Sequence, residues 1–348
     1  MNQALKNTGQ SLLFLLIGMG ILYLIFDSQS EAYTAQCLAD GGEKGECSLW
    51  RKLWLDFSQV NWIWIFIVLI LFTISNWSRA ERWVLLLAPL NLVPRKLNAF
   101  LSIMLGYFAN LGIPRIGEIV RGGTLSRYEE IGIDKAMGTI VTDRILDVLS
   151  LLIVLLIAFT IEFDTISAFL IENTELSSLQ NLINPWTIGA IVLFVILGLL
   201  VLRFILHAGT QNALVLKIRQ FIFGFKEGIV SVLKVKSPGQ LIFHSVLIWI
   251  MYYLMTYACF KSFAPTAELG PQAGFITFVF GSLGMLVPLP GGMGSYHFCV
   301  MAALGLYGVS GADSFSFAMI IFFSIQIFCN VLLGLLSLVI LPIYNKSI

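Results

Sequence analysis

Three charged residues stand three positions apart in the stretch IPRIGEIVRGG: Arg115, Glu118 and Arg121. Their i, i+3, i+6 spacing puts neighbours within reach on one side of a helix. Pro114 suits the first turn of that helix, whose free N–H groups and positive dipole end would lie near Arg115. A helix start of this kind is an anion site, and arginine adds a planar fork for phosphate oxygens. Glu118 could hold an arginine in place or compete with the anion. The bland alternative is that these charges snorkel at the membrane interface.

A second cluster, VTDRILDVLS, supplies Asp143, Arg144 and Asp147. Asp143 and Asp147 are one helical turn apart, and Arg144 and Asp147 are i, i+3 neighbours. Inside an apolar run such charges need partners, and the expected ones are each other and the charges of the first cluster. A direct ligand role and a purely structural ion-pair network both remain open. A third stretch, PLPGGMGSYH, combines Pro290 with Gly291, Gly292 and Gly294, which permit close turns, followed by His297. Histidine could respond to pH or bind phosphate when charged, or serve as a satisfied structural donor.

These clusters sit in a chain of 348 residues that is 58% hydrophobic and 12% charged, with a mean hydropathy of +0.88. A soluble domain carries about a quarter charged residues, so the expectation is an all-α polytopic membrane protein. Six stretches read as transmembrane helices: 9–26, 60–78, 138–160, 186–206, 240–260 and 316–342. Two more, 99–126 and 273–307, are broken by Gly and Pro near their middles. Unpaired backbone is not tolerated in lipid, so both read as re-entrant helical hairpins; pairs of short or kinked spanning helices are the alternative.

Residues 60–160 and 240–342 form two repeats of one single membrane domain. At an offset of 175 residues, Gly106, Leu111 and Gly117 match Gly281, Leu286 and Gly292. Helices 60–78 and 240–260 are expected to run in opposite directions, which makes the repeat inverted, a recurring transporter plan. Basic residues at 79–96 (Arg79, Arg82, Arg95, Lys96) and over 203–239, whose loop proper is 207–239, contrast with the acidic segments 27–59 and 161–185. The positive-inside rule then puts both termini in the cytoplasm and loop 27–59 outside. In that oxidising setting Cys37 and Cys47 are a disulfide candidate. The tryptophans, Trp50, Trp54, Trp62, Trp64, Trp77 and Trp83 among them, read as interfacial anchors.

A net charge of +1 gives no case for nucleic acid. No hydrolase elbow, P-loop, HExxH or dinucleotide fingerprint is present, and no His/Cys cluster suggests a metal. No cofactor is expected.

The blocks PRIGEIVR, DRILD and PLPGGMG, in this order and spacing, resemble the signature blocks of the lysylphosphatidylglycerol synthase transmembrane region family. This is the flippase-like membrane domain of the multiple peptide resistance factor, found there fused to a soluble aminoacyltransferase and elsewhere alone. The resemblance implies a prokaryotic plasma-membrane protein that moves or binds lipids, with Arg115, Glu118, Arg121, Arg144 and Asp147 on its motifs. His297 stands where the family often has an acidic residue. The chain ends six residues after its last expected helix, so the aminoacyltransferase and the synthase activity are not carried over.

Together these readings predict a flippase or lipid-binding transporter for an anionic or polyprenyl-phosphate-linked lipid, not an enzyme. Arg115, Glu118, Arg121, Arg144 and His297 would meet the headgroup. Asp143, Asp147, Pro114, Gly117, Pro290, Gly291, Gly292 and Gly294 would support them. Two alternatives are an intramembrane enzyme acting on a lipid phosphate and a non-transporting subunit of a separate lipid-modifying glycosyltransferase or aminoacyltransferase.

Overall fold

The structure is a computed structural model that describes residues 2–43, 47–113, 116–163, 223, 230–287, 289–309 and 311–346. Its long helices are α1 (Asn2–Ala39), α3 (Trp62–Leu87), α6 (Ile133–Ile161), α7 (Pro238–Ser262) and α10 (Gly311–Tyr344). Between them lie α2 (Leu49–Ser58), α4 (Lys96–Gly112), α5 (Gly117–Glu129), α8 (Pro271–Gly284) and α9 (Ser295–Gly305). No strand occurs among the described residues. The expected helix 186–206, the acidic segment 164–185 and most of the basic loop 207–239 lie outside the described residues.

Local chemistry sets the helix ends. The Asn61 side chain caps α3 by accepting the Ile63 N–H at 3.1 Å, and Ala88–Leu90 then close the helix in a 3₁₀ turn. Prolines open α7 and α8 in the first turn, where no backbone donor is lost. Gly291, Gly292 and Gly294 have φ of 58°, 74° and 87°, a left-handed run that non-glycine residues adopt only under strain.

Among the described residues, four segments are long and apolar enough to cross a membrane: Trp62–Leu90, Ile133–Ile161, Pro238–Ser262 and Gly311–Tyr344. The shortest has 25 residues, about 38 Å of helix against a hydrocarbon core of about 30 Å. Along α6, Ile145, Val148, Leu149, Leu152, Ile153 and Leu156 are exposed; lipid is the solvent that suits them. The helices of the two broken stretches have 17, 13, 14 and 11 residues, each shorter than the roughly 20 that crossing requires.

The order long helix, two short helices, long helix occurs twice, as α3–α6 and as α7–α10. Helices α3 and α7 pack against each other antiparallel. The Asn61 N–H reaches the Ser262 carbonyl at 3.0 Å at one end, and Ser78 Oγ lies 2.9 Å from His244 Nδ1 at the other. The repeats also exchange partners, since α4 packs on α10 and α8 on α6.

Each broken stretch closes as a helical hairpin on its glycines. A Cβ on Gly106 would lie 2.6 Å from the Gly117 carbonyl oxygen, and one on Gly284 would lie 2.8 Å from the Ser295 carbonyl oxygen. Real Cβ atoms do not approach backbone that closely, so these crossings require glycine.

Three expectations change. Helix α3 does not stop near 78 but continues to Leu87, because the apolar WVLLL that follows Arg82 extends its buried face. Arg79 and Arg82 are therefore core residues, 2% and 0% exposed, rather than loop charges. Trp83 is likewise fully buried and donates to Thr139 Oγ1 at 2.9 Å, so it is no interfacial anchor. Segment 27–59 is mostly helix, since α1 runs to Ala39 and α2 follows at Leu49. Cys37 and Cys47 are disulfide-bonded between those helices. Lys52 of α2 joins Asp56 at 3.0 Å and Asp313 of α10 at 2.8 Å. Burial lowers the pKa of its ammonium, but the hydrogen bonds to Asp313 and Asp56 outweigh that and the net shift is upward.

Candidate functional site

Helices α3, α5 and α6 meet in a buried layer of charge. Arg79 and Arg82 are three residues apart on α3, and Asp143 and Asp147 are four apart on α6, so each pair shares a helix face. Arg82 Nε donates to Asp143 Oδ1 at 2.7 Å and Nη2 to Asp147 Oδ1 at 2.6 Å. Arg79 Nη1 donates to Asp147 Oδ2 at 2.6 Å and to Asp143 Oδ2 at 3.3 Å, while its Nη2 reaches the Tyr252 hydroxyl of α7 at 3.0 Å. From α5, Arg121 Nη1 donates to Asp143 Oδ2 at 2.9 Å.

The third arginine is held differently from the other two. Its guanidinium lies 4.0 Å from the centroid of the Trp83 ring, and Nε and Nη2 have no hydrogen-bond partner among the described residues. Stacking on an aromatic face is a stabilising substitute that arginine accepts. Charges this deep survive only when paired and hydrogen-bonded. Among the described residues, three arginines here meet two aspartates, which leaves one positive charge in excess.

Above this layer the charge becomes accessible. Arg144 Nε donates to Glu118 Oε1 at 2.8 Å, with side chains 39% and 34% exposed, and Arg144 Nη1 lies 3.6 Å from Asp147 Oδ2. Arg144, Glu118 and Asp147 line a cavity of about 490 Å³. Its walls come from both repeats and both hairpins: Tyr107 and Asn110 of α4, Leu151 of α6, Trp249 of α7, Phe278 of α8 and Phe322 of α10. One end is charged, most of the wall is apolar, and Thr256, Ser282, Gln326 and Asn330 add neutral polar groups. Residues Phe323–Cys329 of α10 are π-helical, a local winding frequent at functional sites.

The expected site residues separate into groups. Glu118, Arg144, Asp147, Gly291 and Gly292 line the cavity. Arg121 and Asp143 lie behind it in the buried layer, and Gly117 forms the backbone crossing of the first hairpin. Pro290 opens the second hairpin's turn, and the Gly294 N–H donates to His297 Nδ1 at 3.4 Å. His297 is fully buried, its ring 4.7 Å from that of Phe322, and it is not among the lining residues. Pro114 and Arg115 lie outside the described residues. Among the described residues, no group of three His, Cys, Asp or Glu side chains could hold a metal ion.

Arg79, Arg82, Tyr252, Gln326 and Asn330 escaped the sequence reading. The usable signal for the first two was the apolar run after Arg82, which marks a continuing helix instead of a loop. His244 of α7 is the partner of Ser78 on α3.

A family model described as "Lysylphosphatidylglycerol synthase TM region" matches residues 48–334, and this match makes the chain a member of that family. Neither the curated proteins nor the solved structures searched contain a match.

Proposed function

We propose, with membership of this family as the premise, that the protein is a carrier for an anionic or polyprenyl-phosphate-linked lipid. The observation that carries the reading is the Arg144–Glu118 pair at the charged end of a cavity built by both hairpins. Behind it, the arginine excess of the buried layer raises the local potential in favour of an anion. A lipid phosphate would take over the Arg144 fork from Glu118, exchanging a carboxylate for a better-matched bidentate acceptor. Leu151, Phe278, Ile321 and Ile325 would then face the apolar part of the ligand.

The architecture supports the same reading. The two short-helix hairpins fit re-entrant segments, and the antiparallel α3–α7 pair fits an inverted repeat with its ligand at the repeat interface. In this reading the protein is a multi-pass protein of a prokaryotic inner membrane, with both termini cytoplasmic and the disulfide on the oxidising side. Helices 9–26 and 186–206 would complete the six crossings.

Transport is favoured over catalysis because the candidate carboxylates are already engaged and His297, the remaining candidate base, is not in the cavity lining. Glu118 is held by Arg144, and Asp143 and Asp147 by arginines of α3. A separate lipid-modifying enzyme would make or consume the cargo.

Lipids that co-purify with the detergent-solubilised protein, identified by mass spectrometry, test the proposal. Enrichment of anionic over zwitterionic lipid, lost on Arg144→Ala, is the expected result. Lipids in the bulk membrane ratio would count against it.

A further inference from the structure

Beside Asn110 of α4, the cavity is lined by neutral polar groups on α7, α8 and α10: Thr256, Ser282, Gln326 and Asn330. We infer that they form a second subsite, which reads a hydrogen-bond donor in the headgroup of the ligand. The inference rests on the anionic-lipid reading and narrows it.

Asn330 is 5% exposed and lines the cavity. Its Nδ2 donates to the Gln326 carbonyl oxygen at 3.1 Å and to Gln326 Oε1 at 3.2 Å. That leaves Oδ1 buried with no partner among the described residues. Buried acceptors are nearly always satisfied, and leaving one unmet costs more than making the bond returns. The two hydroxyls on the same cavity wall have spent their protons as well. Ser282 Oγ donates to the Phe278 carbonyl at 2.8 Å, and Thr256 Oγ1 to the Tyr252 carbonyl at 3.3 Å. What Asn330, Ser282 and Thr256 still offer is therefore acceptor oxygens.

This complements the charged end, where Arg144 offers donors. A ligand that meets both groups has phosphate oxygens at Arg144 and an O–H or N–H group at Asn330. Trp249 Nε1, a donor without a partner on the same lining, suits a hydroxyl, which both gives and accepts, better than an ammonium, which only gives. The π-helical winding over Phe323–Cys329 inserts an extra residue per turn and so sets where Gln326 and Asn330 meet the cavity.

The test uses the full chain in detergent and two charge-matched pairs of dioleoyl lipids, with affinities from native mass spectrometry. Phosphatidylglycerol and phosphatidylmethanol share one negative charge, but only the first has headgroup hydroxyls. Phosphatidylethanolamine and phosphatidylcholine share a zwitterion, but only the first has N–H groups. The inference predicts that the donor-bearing member binds about tenfold more tightly in at least one pair. The first pair then identifies a hydroxyl, the second an ammonium. Asn330→Leu should bring the ratio near one.

Equal binding within both pairs overturns the subsite but leaves the anionic-lipid reading standing if phosphatidylglycerol and phosphatidylmethanol both bind. A preference that survives Asn330→Leu also overturns it. Failure of both anionic lipids to bind removes the two proposals together. The wild-type ratios need no variant, so a misfolded Asn330→Leu protein does not shelter the inference.

Discussion

Arg82 and Asp143 share a 2.7 Å hydrogen bond across α3 and α6 with neither side chain exposed. Asp143 also accepts from Arg79 and Arg121, so it is the point on which three helices agree.

Asp143→Ala leaves three buried guanidiniums facing one carboxylate. Breaking a buried pair by removing one partner costs about 3–5 kcal/mol, a large part of any domain's stability. The expected outcome is a sharp fall in melting temperature or in folded yield without added lipid, measured on the detergent-purified protein.

Arg121→Ala separates architecture from ligand binding. Arg121 bonds to Asp143 and stacks on Trp83, behind the cavity lining. The variant should melt at lower temperature yet hold anionic-lipid affinity within about threefold, well under the tenfold that 1.4 kcal/mol represents. Arg121→Lys should recover only part of the stability, because lysine keeps the charge but loses the planar stack. A large affinity loss at unchanged melting temperature would move Arg121 into the site.

Much of this was legible in the sequence because membrane chemistry leaves few choices. Clustered glycine and proline inside an apolar run point to a break, and each of the two broken stretches is a pair of short helices in the structure. The pairing of Asp143 and Asp147 with arginine followed from the cost of burying charge, yet most of the arginines come from α3. Arg79 and Arg82 read as loop residues because charge density near a helix end is the usual mark of the interface. The apolar WVLLL after Arg82 marks a continuing helix, but that both arginines turn inward follows only from the packing of α3 against α6 and α7. Asn330 and Gln326 were hidden for another reason: a neutral amide in an apolar helix gains meaning only from the cavity beside it.

Gly106→Ala and Gly284→Ala should each prevent a hairpin from closing, since the added carbon meets backbone at 2.6 and 2.8 Å. Gly123→Ala, where a Cβ meets nothing within 4 Å, is the matched control. It should be neutral or stabilise by up to about 1 kcal/mol through helix propensity. Thermal melts of the three variants check this, and equal behaviour would argue against the close crossings.

Reduction of Cys37–Cys47, a pair 10 residues apart, should lower stability by about 2–3 kcal/mol on the loop-entropy account. Lipid affinity should not change, because neither cysteine lines the cavity. Maleimide labelling before and after reductant checks the bond. Free reactivity at both thiols in the unreduced protein would refute it.

The central claim is that Arg144 receives a lipid phosphate at the charged end of the cavity, and affinity for phosphatidylglycerol in Arg144→Ala against wild type tests it most directly. Losing a charge-assisted hydrogen bond of this kind costs about 1.5–3 kcal/mol, so binding should weaken roughly ten- to a hundredfold. The melting temperature should stay close to wild type, since the pair with Glu118 is half-exposed and such pairs contribute little stability. Unchanged affinity in a folded Arg144→Ala protein would contradict the account.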